Sequence, residues 1–364
     1  MIAFALLASA FSRPQPELAR FEFSQVHMGM PVRLVLYAPD AGSAERSARM
    51  AFVRVATLDA MLSDYRPDSE LNRLSATNRA WMPVSADLFA VLTRALEIAE
   101  ASDGAFDPTV GPLTTLWREA RRTRRLPEDT ELADARARVG WQYLMLDSAK
   151  VAARLDRAGM RLDLGGIAKG YILHQALAVL MAQGTPRALV EAGGDIVVGD
   201  APPGMPGWTI DVPHADEAFS KRAAALTRAA LATSGAMVQF VEINGVRYSH
   251  VIDPRTGRGV THGLVVSVIA TDAATADGLA TAIGVLGKDA AAKLLAKHPD
   301  AIVSMRTVLV PRMPGFRSAG VLLAGSEVPE CRSAEVLLAG SEVPECRGAE
   351  VLRGVSEILC VRRF

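Results

Sequence analysis

The 364-residue sequence predicts an α+β fold, with helices and strands mixed along one chain. Hydrophobic spacing changes between helical and alternating patterns without the regular strand–helix–strand order of a doubly wound sheet. Half of the residues are hydrophobic, which is enough for a large core. No clear linker separates two domains. We therefore expect a single mixed domain over residues 21–312.

Composition argues against two classes of partner. The 40 Lys and Arg residues balance the 40 Asp and Glu residues, so the net charge gives no reason to expect nucleic acid. No stretch reaches the ~20 apolar residues that cross a bilayer, so we expect no membrane span.

The cysteines, Cys331, Cys346 and Cys360, all lie near the C-terminus. The body of the chain therefore has neither a disulfide framework nor a cysteine metal site.

Both ends of the chain differ from this body. Residues 1–20 start with "MIAFALLASAF", which has the apolar run of an export signal but no basic residues before it. We expect either a degenerate signal or a disordered N-terminus. The unit "SAGVLLAGSEVPECR" starts at Ser318, recurs at Ser333 with a single substitution, and is followed by a diverged third copy. It is too short for a known solenoid, and we expect residues 313–364 to form a loosely ordered tail.

The first elements follow from local spacing. Residues 32–37 alternate as a strand. Apolar residues at helical spacing predict a helix over about 44–62. A second helix begins at the cap residue Ser85 and ends before Gly104.

The sequence "GAFDPTVGPL" is followed by many charged residues, which predict a helix-poor stretch. Its basic run, Arg121, Arg122, Arg124 and Arg125, lies beside a proline and acids, so we interpret it as a solvated loop. The remaining predicted elements are a short helix near 131–138, mostly strands from about 142, a helix over 167–182, a strand at "LVVSVIAT" and a helix over 272–286.

The helix predicted over 272–286 carries an acid in apolar surroundings. Asp277 and Thr281 lie one turn apart and face away from an apolar stripe, yet their neighbours are Ala, Gly and Val. We expect this helix to be buried on all sides. A hard divalent cation bound by oxygen ligands would remove the cost of burying the carboxylate. The alternative is a buried aspartate that is hydrogen-bonded to backbone.

A glycine-rich corner occurs in "RLDLGGIAKGYILHQAL". A predicted strand ends at Asp163, two glycines follow, and Lys169 lies in the first turn of a helix. Backbone N–H groups, the helix dipole and the lysine suit a phosphate or pyrophosphate. The stretch is not a P-loop, because Gly170 follows the lysine. Close packing at a tight turn is the alternative, as it is for the similar corner "EAGGDIVVG".

The stretch "YSHVIDPRTGRG" places His250 between a strand and the turn that Asp253 and Pro254 begin. An imidazole there could reach a ligand as a base. A structural histidine is the alternative.

Together these stretches resemble the ApbE-type FAD:protein FMN transferases over residues 24–310. Seven motifs occur in the order expected for that family, and their combination is far more specific than any one of them. The motifs are "HMGMPVRL", "LSDYRPDSELNRL", "GAFDPTVGPL", "LDLGGIAKGY", "VEAGGDIVVGD", "SHVIDPRTG" and "ATADGLATA".

The resemblance implies a flavin transferase domain with a T-fold-like antiparallel sheet core and packed helices. It implies a Mg²⁺-dependent enzyme that transfers FMN from FAD to a threonine of an acceptor flavoprotein and releases AMP. Carried over by position, the nucleotide would be held by Met28, Tyr65, Ala105, Phe106, Asp107, Asp163, Lys169 and Ile252. The metal would be held by Asp277, Thr281 and the carbonyl of Gly166, and His250 would act as the base.

Two other functions would use the same site: an FAD pyrophosphatase that gives FMN and AMP, and a non-catalytic FAD-binding protein. Met30 departs from the Thr or Ser that is usual in the family at this position. The family favours an extracytoplasmic location, whereas the degenerate signal leaves the cytoplasm open.

Overall fold

The computed structural model describes residues 17–212, 223–235, 239–307, 349–352 and 359–363. The start of the predicted signal and most of the repetitive tail lie outside these residues, so both expectations stay predictions. No helix in the described ranges is long and apolar enough to cross a bilayer.

Helices and strands follow one another irregularly, as expected for the α+β class. The helices are α1 (Ala41–Leu62), α2 (Glu70–Ser75), α3 (Ala86–Ala101), α4 (Gly111–Thr123), α5 (Asp129–Ala137), α6 (Ala168–Ala182) and α7 (Ala273–Leu295), with a 3-10 turn at Trp141–Tyr143. The strands are β1 (Ala19–His27), β2 (Met30–Ala38), β3 (Met82–Pro83), β4 (Leu144–Asp147), β5 (Ala152–Leu155), β6 (Ala188–Ala192), β7 (Asp195–Val198), β8 (Trp208–Asp211), β9 (Ala223–Leu226), β10 (Ala229–Gly235), β11 (Phe240–Ile243), β12 (Val246–Ser249), β13 (Ile252–Asp253), β14 (Arg258–Gly259), β15 (Leu264–Ala270), β16 (Ile302–Thr307), β17 (Ala349–Leu352) and β18 (Leu359–Arg363).

The core is an antiparallel sheet that has nine strands within the described residues, in the order β16-β15-β10-β7-β6-β2-β1-β18-β17. Successive residues of a strand point to opposite faces. Leu34 accordingly packs in the large core cluster with α1, α6 and α7, while Val35 packs with Trp208 of the β8–β9 hairpin on the other face. This arrangement confirms the predicted antiparallel core with packed helices.

The first part of α7 is buried on nearly every side, as its sequence predicts. Its cap residue Asp272 accepts a hydrogen bond from the backbone N–H of Thr275 at 2.7 Å. The helix continues past the predicted end at residue 286 and bends at Gly287, where φ is 78°. Residues 273–285, apart from Thr275 and Thr281, are buried. The only acid among these residues is therefore held inside the protein.

Two predicted segments are wrong. The stretch expected to be helix-poor forms α4, because Leu113, Trp117 and Ala120 pack at helical spacing against a small core cluster. Arg121 and Arg122 lie in its last turn, where cations interact favourably with the helix dipole, whereas Arg124 and Arg125 lie in the exposed loop that follows, as predicted.

The strand predicted to end at Asp163 is only an isolated bridge between Val110 and Arg161. The backbone here bonds to the loop before α4 instead of to a neighbouring strand: Asp163 N–H donates to the Pro108 carbonyl at 2.9 Å, and Gly111 N–H donates to the Arg161 carbonyl at 3.2 Å.

Candidate active site

The glycine corner joins this loop-bonded segment to the N-terminus of α6. A carboxylate oxygen of Asp163 accepts a hydrogen bond from Gly165 N–H at 2.8 Å, which turns the chain toward the helix. Ile167 provides no side-chain cap for α6. The N–H groups of the first turn therefore depend on other partners.

Asp277 provides one of these partners. Its Oδ2 accepts a hydrogen bond from Gly170 N–H at 3.0 Å, and the residue is only 7% exposed. The helices α6 and α7 can approach this closely because residue 170 is glycine. A Cβ there would lie 2.2 Å from the carbonyl oxygen of Ala273. The backbone bond that the sequence left as an alternative is thus present, but it uses only one of the two carboxylate oxygens.

Thr281 faces the same corner one turn further along α7. Its hydroxyl lies 3.5 Å from the carbonyl oxygen of Gly166, at the outer limit of a hydrogen bond. A Cβ on residue 166 would lie 2.9 Å from that hydroxyl and 3.2 Å from the ring of Phe106. The structure therefore brings the pair Asp277 and Thr281, which share one motif, together with Gly166 and Phe106, which come from two other motifs.

These oxygens fit a hard divalent cation. Within the described part of the chain the second carboxylate oxygen of Asp277 accepts no hydrogen bond. No group of three His, Cys, Asp or Glu side chains suited to a metal occurs among the described residues. An ion here would therefore depend on one carboxylate together with the Thr281 hydroxyl, the Gly166 carbonyl and oxygens of the substrate. Mg²⁺ is commonly held by one or two carboxylates and substrate phosphates.

Asp195 is a charged member of this site that was not predicted from the sequence. Its Oδ2 lies 2.6 Å from Nζ of Lys169, and its Oδ1 accepts a hydrogen bond from Thr233 N–H at 3.0 Å. The residue is 2% exposed. The available signal was an acid directly after a glycine pair, at the first position of a strand.

The charges of Lys169, Asp195 and Asp277 act on one another. Burial lowers the pKa of Lys169, but attraction to Asp195 and Asp277 outweighs it and leaves the pKa above its ordinary value. Burial and then repulsion from Asp195 raise the pKa of Asp277 to about 7, against the opposing effects of Lys169 and Gly170 N–H. A further cation at this corner would keep the Asp277 carboxylate ionised.

His250 lies between β12 and β13. Its Nδ1 is 3.1 Å from the carbonyl oxygen of Gln239, so Nδ1 carries the proton and Nε2 is free to accept one. Burial lowers the pKa of the imidazole, the Gln239 carbonyl opposes this, and Arg121 and Lys169 lower the pKa further. The imidazole is therefore neutral at neutral pH. It lies close enough to the glycine corner for the charge of Lys169 to affect its pKa.

The other predicted nucleotide ligands differ in environment. Tyr65 is 75% exposed, whereas Ala105, Phe106 and Ile252 are buried. Met28 lies in the β1–β2 turn with a positive φ of 53°, and its N–H donates to Asp59 at 2.9 Å. Within the described residues, no hydrogen bond of Met28 or Ile252 reaches the glycine corner.

Asp107 has both carboxylate oxygens engaged inside the protein. Oδ1 accepts bonds from the N–H and the hydroxyl of Thr109 at 2.8 and 2.6 Å, and Oδ2 accepts one from Trp141 N–H at 3.0 Å. These bonds hold the loop that carries Ala105 and Phe106. Direct contact between Asp107 and the nucleotide stays a prediction.

Comparison with known proteins gives one family and a consistent set of relatives. The model of the ApbE family matches residues 28–305. The FAD:protein FMN transferase of Haemophilus influenzae is 34% identical over 256 residues, covering 67% of this chain and 74% of that protein. The FAD:protein FMN transferase of Escherichia coli is 30% identical over 339 residues, covering 86% of this chain and 96% of the relative.

Solved structures agree with the sequence relatives. The apo flavinyl transferase ApbE of Pseudomonas stutzeri is 26% identical, with a TM-score of 0.70, over 80% of this chain and 96% of that one. The ApbE protein of Thermotoga maritima is 29% identical, with a TM-score of 0.71, over 79% of this chain and 94% of that one.

Proposed function

This chain belongs to the ApbE family and transfers FMN from FAD to a target protein, and we propose that the acceptor group is a threonine hydroxyl and that the transfer depends on Mg²⁺. The observation that carries the proposal is the convergence of Asp277, Thr281 and the Gly166 carbonyl beside Lys169 at the start of α6. A helix N-terminus with an adjacent cation is suited to a diphosphate, which is the group of FAD that reacts.

In this proposal Asp277, Thr281 and the carbonyl oxygen of Gly166 hold the magnesium ion. When bound, the ion supplies positive charge that stabilises the diphosphate oxygens in the transition state. Lys169 and the N–H groups of the α6 N-terminus orient the diphosphate and add to this charge. Asp195 holds the ammonium group of Lys169 in place through their ion pair.

The transfer forms one bond and breaks one. The acceptor oxygen bonds to the phosphorus of the FMN half, and the bond from that phosphorus to the bridging oxygen breaks. AMP leaves with the electron pair, and the acceptor hydroxyl loses its proton. Nε2 of His250 accepts this proton, because Nδ1 is engaged with the Gln239 carbonyl and the lowered pKa keeps the ring neutral.

The direct test mixes the protein with FAD, MgCl₂ and a candidate acceptor flavoprotein, and detects covalent flavin on the acceptor by in-gel fluorescence. We expect Asp277→Ala to lower labelling at least about a hundredfold, because it removes the charged metal ligand. Asp289, an exposed acid in the same helix, provides the matched control as Asp289→Ala. Undiminished labelling by Asp277→Ala would contradict the metal assignment.

The acceptor group is tested on the partner. Changing the labelled threonine to valine should abolish labelling, and changing it to serine should retain part of it, since serine keeps a hydroxyl. Labelling that persists in the valine variant would exclude this threonine as the attachment site. Free FMN and AMP formed without any acceptor would instead favour the pyrophosphatase function.

A further inference from the structure

A second group of charged side chains lies next to the predicted nucleotide ligands. The surface cluster consists of Asp64, Tyr65, Arg118 and Asp163. The guanidinium of Arg118 lies 2.5 Å from Asp64 and 3.5 Å from Asp163, and its carbon lies 4.1 Å from the centre of the Tyr65 ring. The Arg118 side chain of α4 therefore contacts Asp64 and two predicted nucleotide ligands, Tyr65 and Asp163.

The two acids of this cluster need the arginine between them. Burial and then repulsion from Asp163 raise the pKa of Asp64, whereas Arg118 opposes both effects. Without the guanidinium, two carboxylates would face each other in a partly buried place, and one would tend to protonate or turn away. Arg118 thus keeps the Asp163 carboxylate, which also accepts the Gly165 N–H bond, in its observed position.

Tyr65 is an exposed aromatic ring that Arg118 supports. The residue is 75% exposed, more than any other large hydrophobic or aromatic side chain in the described part of the chain. A groove of about 420 Å³ is lined by Asp64, Tyr65, Asn72 and Arg161, among others, but not by Arg118. The ring therefore contacts the guanidinium and also borders open space that a flat ring system can enter.

We propose that Arg118 is a positioning residue for FAD: it holds the Tyr65 ring and the Asp163 carboxylate in place, so that a ring system of the nucleotide stacks on the open face of Tyr65. The proposal rests on the proposed function only in taking FAD as the ligand. Arginine suits the role because its planar guanidinium can stack on an aromatic face and bond to two carboxylates at once. A lysine at this position would supply the positive charge but not the planar group that stacks on the ring.

The test measures FAD affinity by quenching of flavin fluorescence, without magnesium or acceptor. We expect Arg118→Gln to weaken FAD binding about tenfold and to leave kcat at saturating FAD within about twofold. Arg118→Lys should recover less than half of the lost affinity. The matched control is Arg122→Gln, because Arg122 lies on the same helix and pairs with exposed Glu119.

A double-mutant cycle separates positioning from general damage. Tyr65→Ala should weaken binding, and adding Arg118→Gln to it should cost less than Arg118→Gln costs in the wild-type protein, because the contribution through the Tyr65 ring is already lost. Separate titrations with AMP and with FMN, each displacing bound FAD, identify which ring system stacks on Tyr65. Only the fragment that carries the stacked ring should bind more weakly to Tyr65→Ala than to the wild-type protein.

The outcomes are distinct. Unchanged FAD affinity in folded Arg118→Gln, or full recovery by Arg118→Lys, would overturn the proposal, as would additive losses in the cycle. If Arg118→Gln does not fold, the same double-mutant cycle is measured with Arg118→Lys in its place, and additive losses of FAD affinity would again overturn the proposal. A wild-type protein that binds FAD with the expected Arg118 dependence, but labels its acceptor equally well without Mg²⁺ or at a residue other than threonine, would refute the proposed function and leave this inference standing.

Discussion

The buried cluster of Lys169, Asp195 and Asp277 and the surface cluster around Arg118 use similar charges in different surroundings. The Lys169–Asp195 pair at 2.6 Å has side-chain exposures of 20% and 3%, whereas the Arg118–Asp64 pair at 2.5 Å has 32% and 15%. Similar distances therefore do not imply similar energies, because water screens the second pair more. The buried cluster should maintain the structure of the corner, and the surface cluster should mainly affect substrate binding.

The largest expected effect is that of Asp195→Asn, which leaves Lys169 buried without its nearest counter-charge. We expect the free energy of unfolding to fall by about 3 kcal/mol or more, as when one partner of a buried pair is removed. Urea unfolding followed by circular dichroism measures it. A loss below about 1 kcal/mol would mean that the two clusters are energetically alike.

Gly170→Ala tests the packing that brings Asp277 to α6. The new Cβ would overlap the carbonyl of Ala273 at 2.2 Å, so α6 and α7 must separate. We expect a loss of about 1–3 kcal/mol in unfolding free energy. The control is Gly284→Ala on α7, where the nearest atom, Oγ of Ser234, would be 3.7 Å away. Equal losses in both variants would show that the close contact at Gly170 has no special cost.

Asp64→Asn should have a smaller effect on stability than Asp195→Asn. It removes repulsion from Asp163 while Arg118 keeps one carboxylate partner, so we expect a change of no more than about 1 kcal/mol. The same urea titration applies. A loss as large as that of Asp195→Asn would contradict the distinction between the clusters.

The smallest expected effect is on the pH dependence of transfer. His250 must be neutral to act as a base. Burial, Arg121 and Lys169 lower its pKa, whereas the Gln239 carbonyl and Asp163 raise it. Arg121→Gln removes one cation, so the pKa of His250 should rise and the acidic limb of kcat/KM should move to higher pH by a fraction of a unit. Arg122→Gln should leave the limb unchanged. A shift to lower pH would refute the assignment of His250 as the titrating base.

Much of the fold could be predicted from local patterns. Ser85 does cap α3, accepting a bond from Leu88 N–H at 3.1 Å, and α1, α5 and α6 lie close to their predicted bounds. The prediction failed at α4, since its many charges hid an apolar stripe that packs on residues of β11, β12 and β13. The family resemblance identified Tyr65 and Asp163 as nucleotide ligands. No sequence pattern indicated that Arg118 contacts both of them, because Arg118 lies in the segment predicted to be helix-poor.

By itself the sequence determined that Asp277 and Thr281 share one face of a buried helix, because their spacing of four residues is a local property of α-helices. Only the tertiary structure decided that Asp195 neutralises Lys169, that Gly170 N–H bonds to Asp277, and that Gly166 meets Thr281. These contacts join segments that are distant along the chain. The strand order of the sheet and the close packing of α6 on α7 determine which segments come into contact. Neither can be predicted from the spacing of residues within one segment.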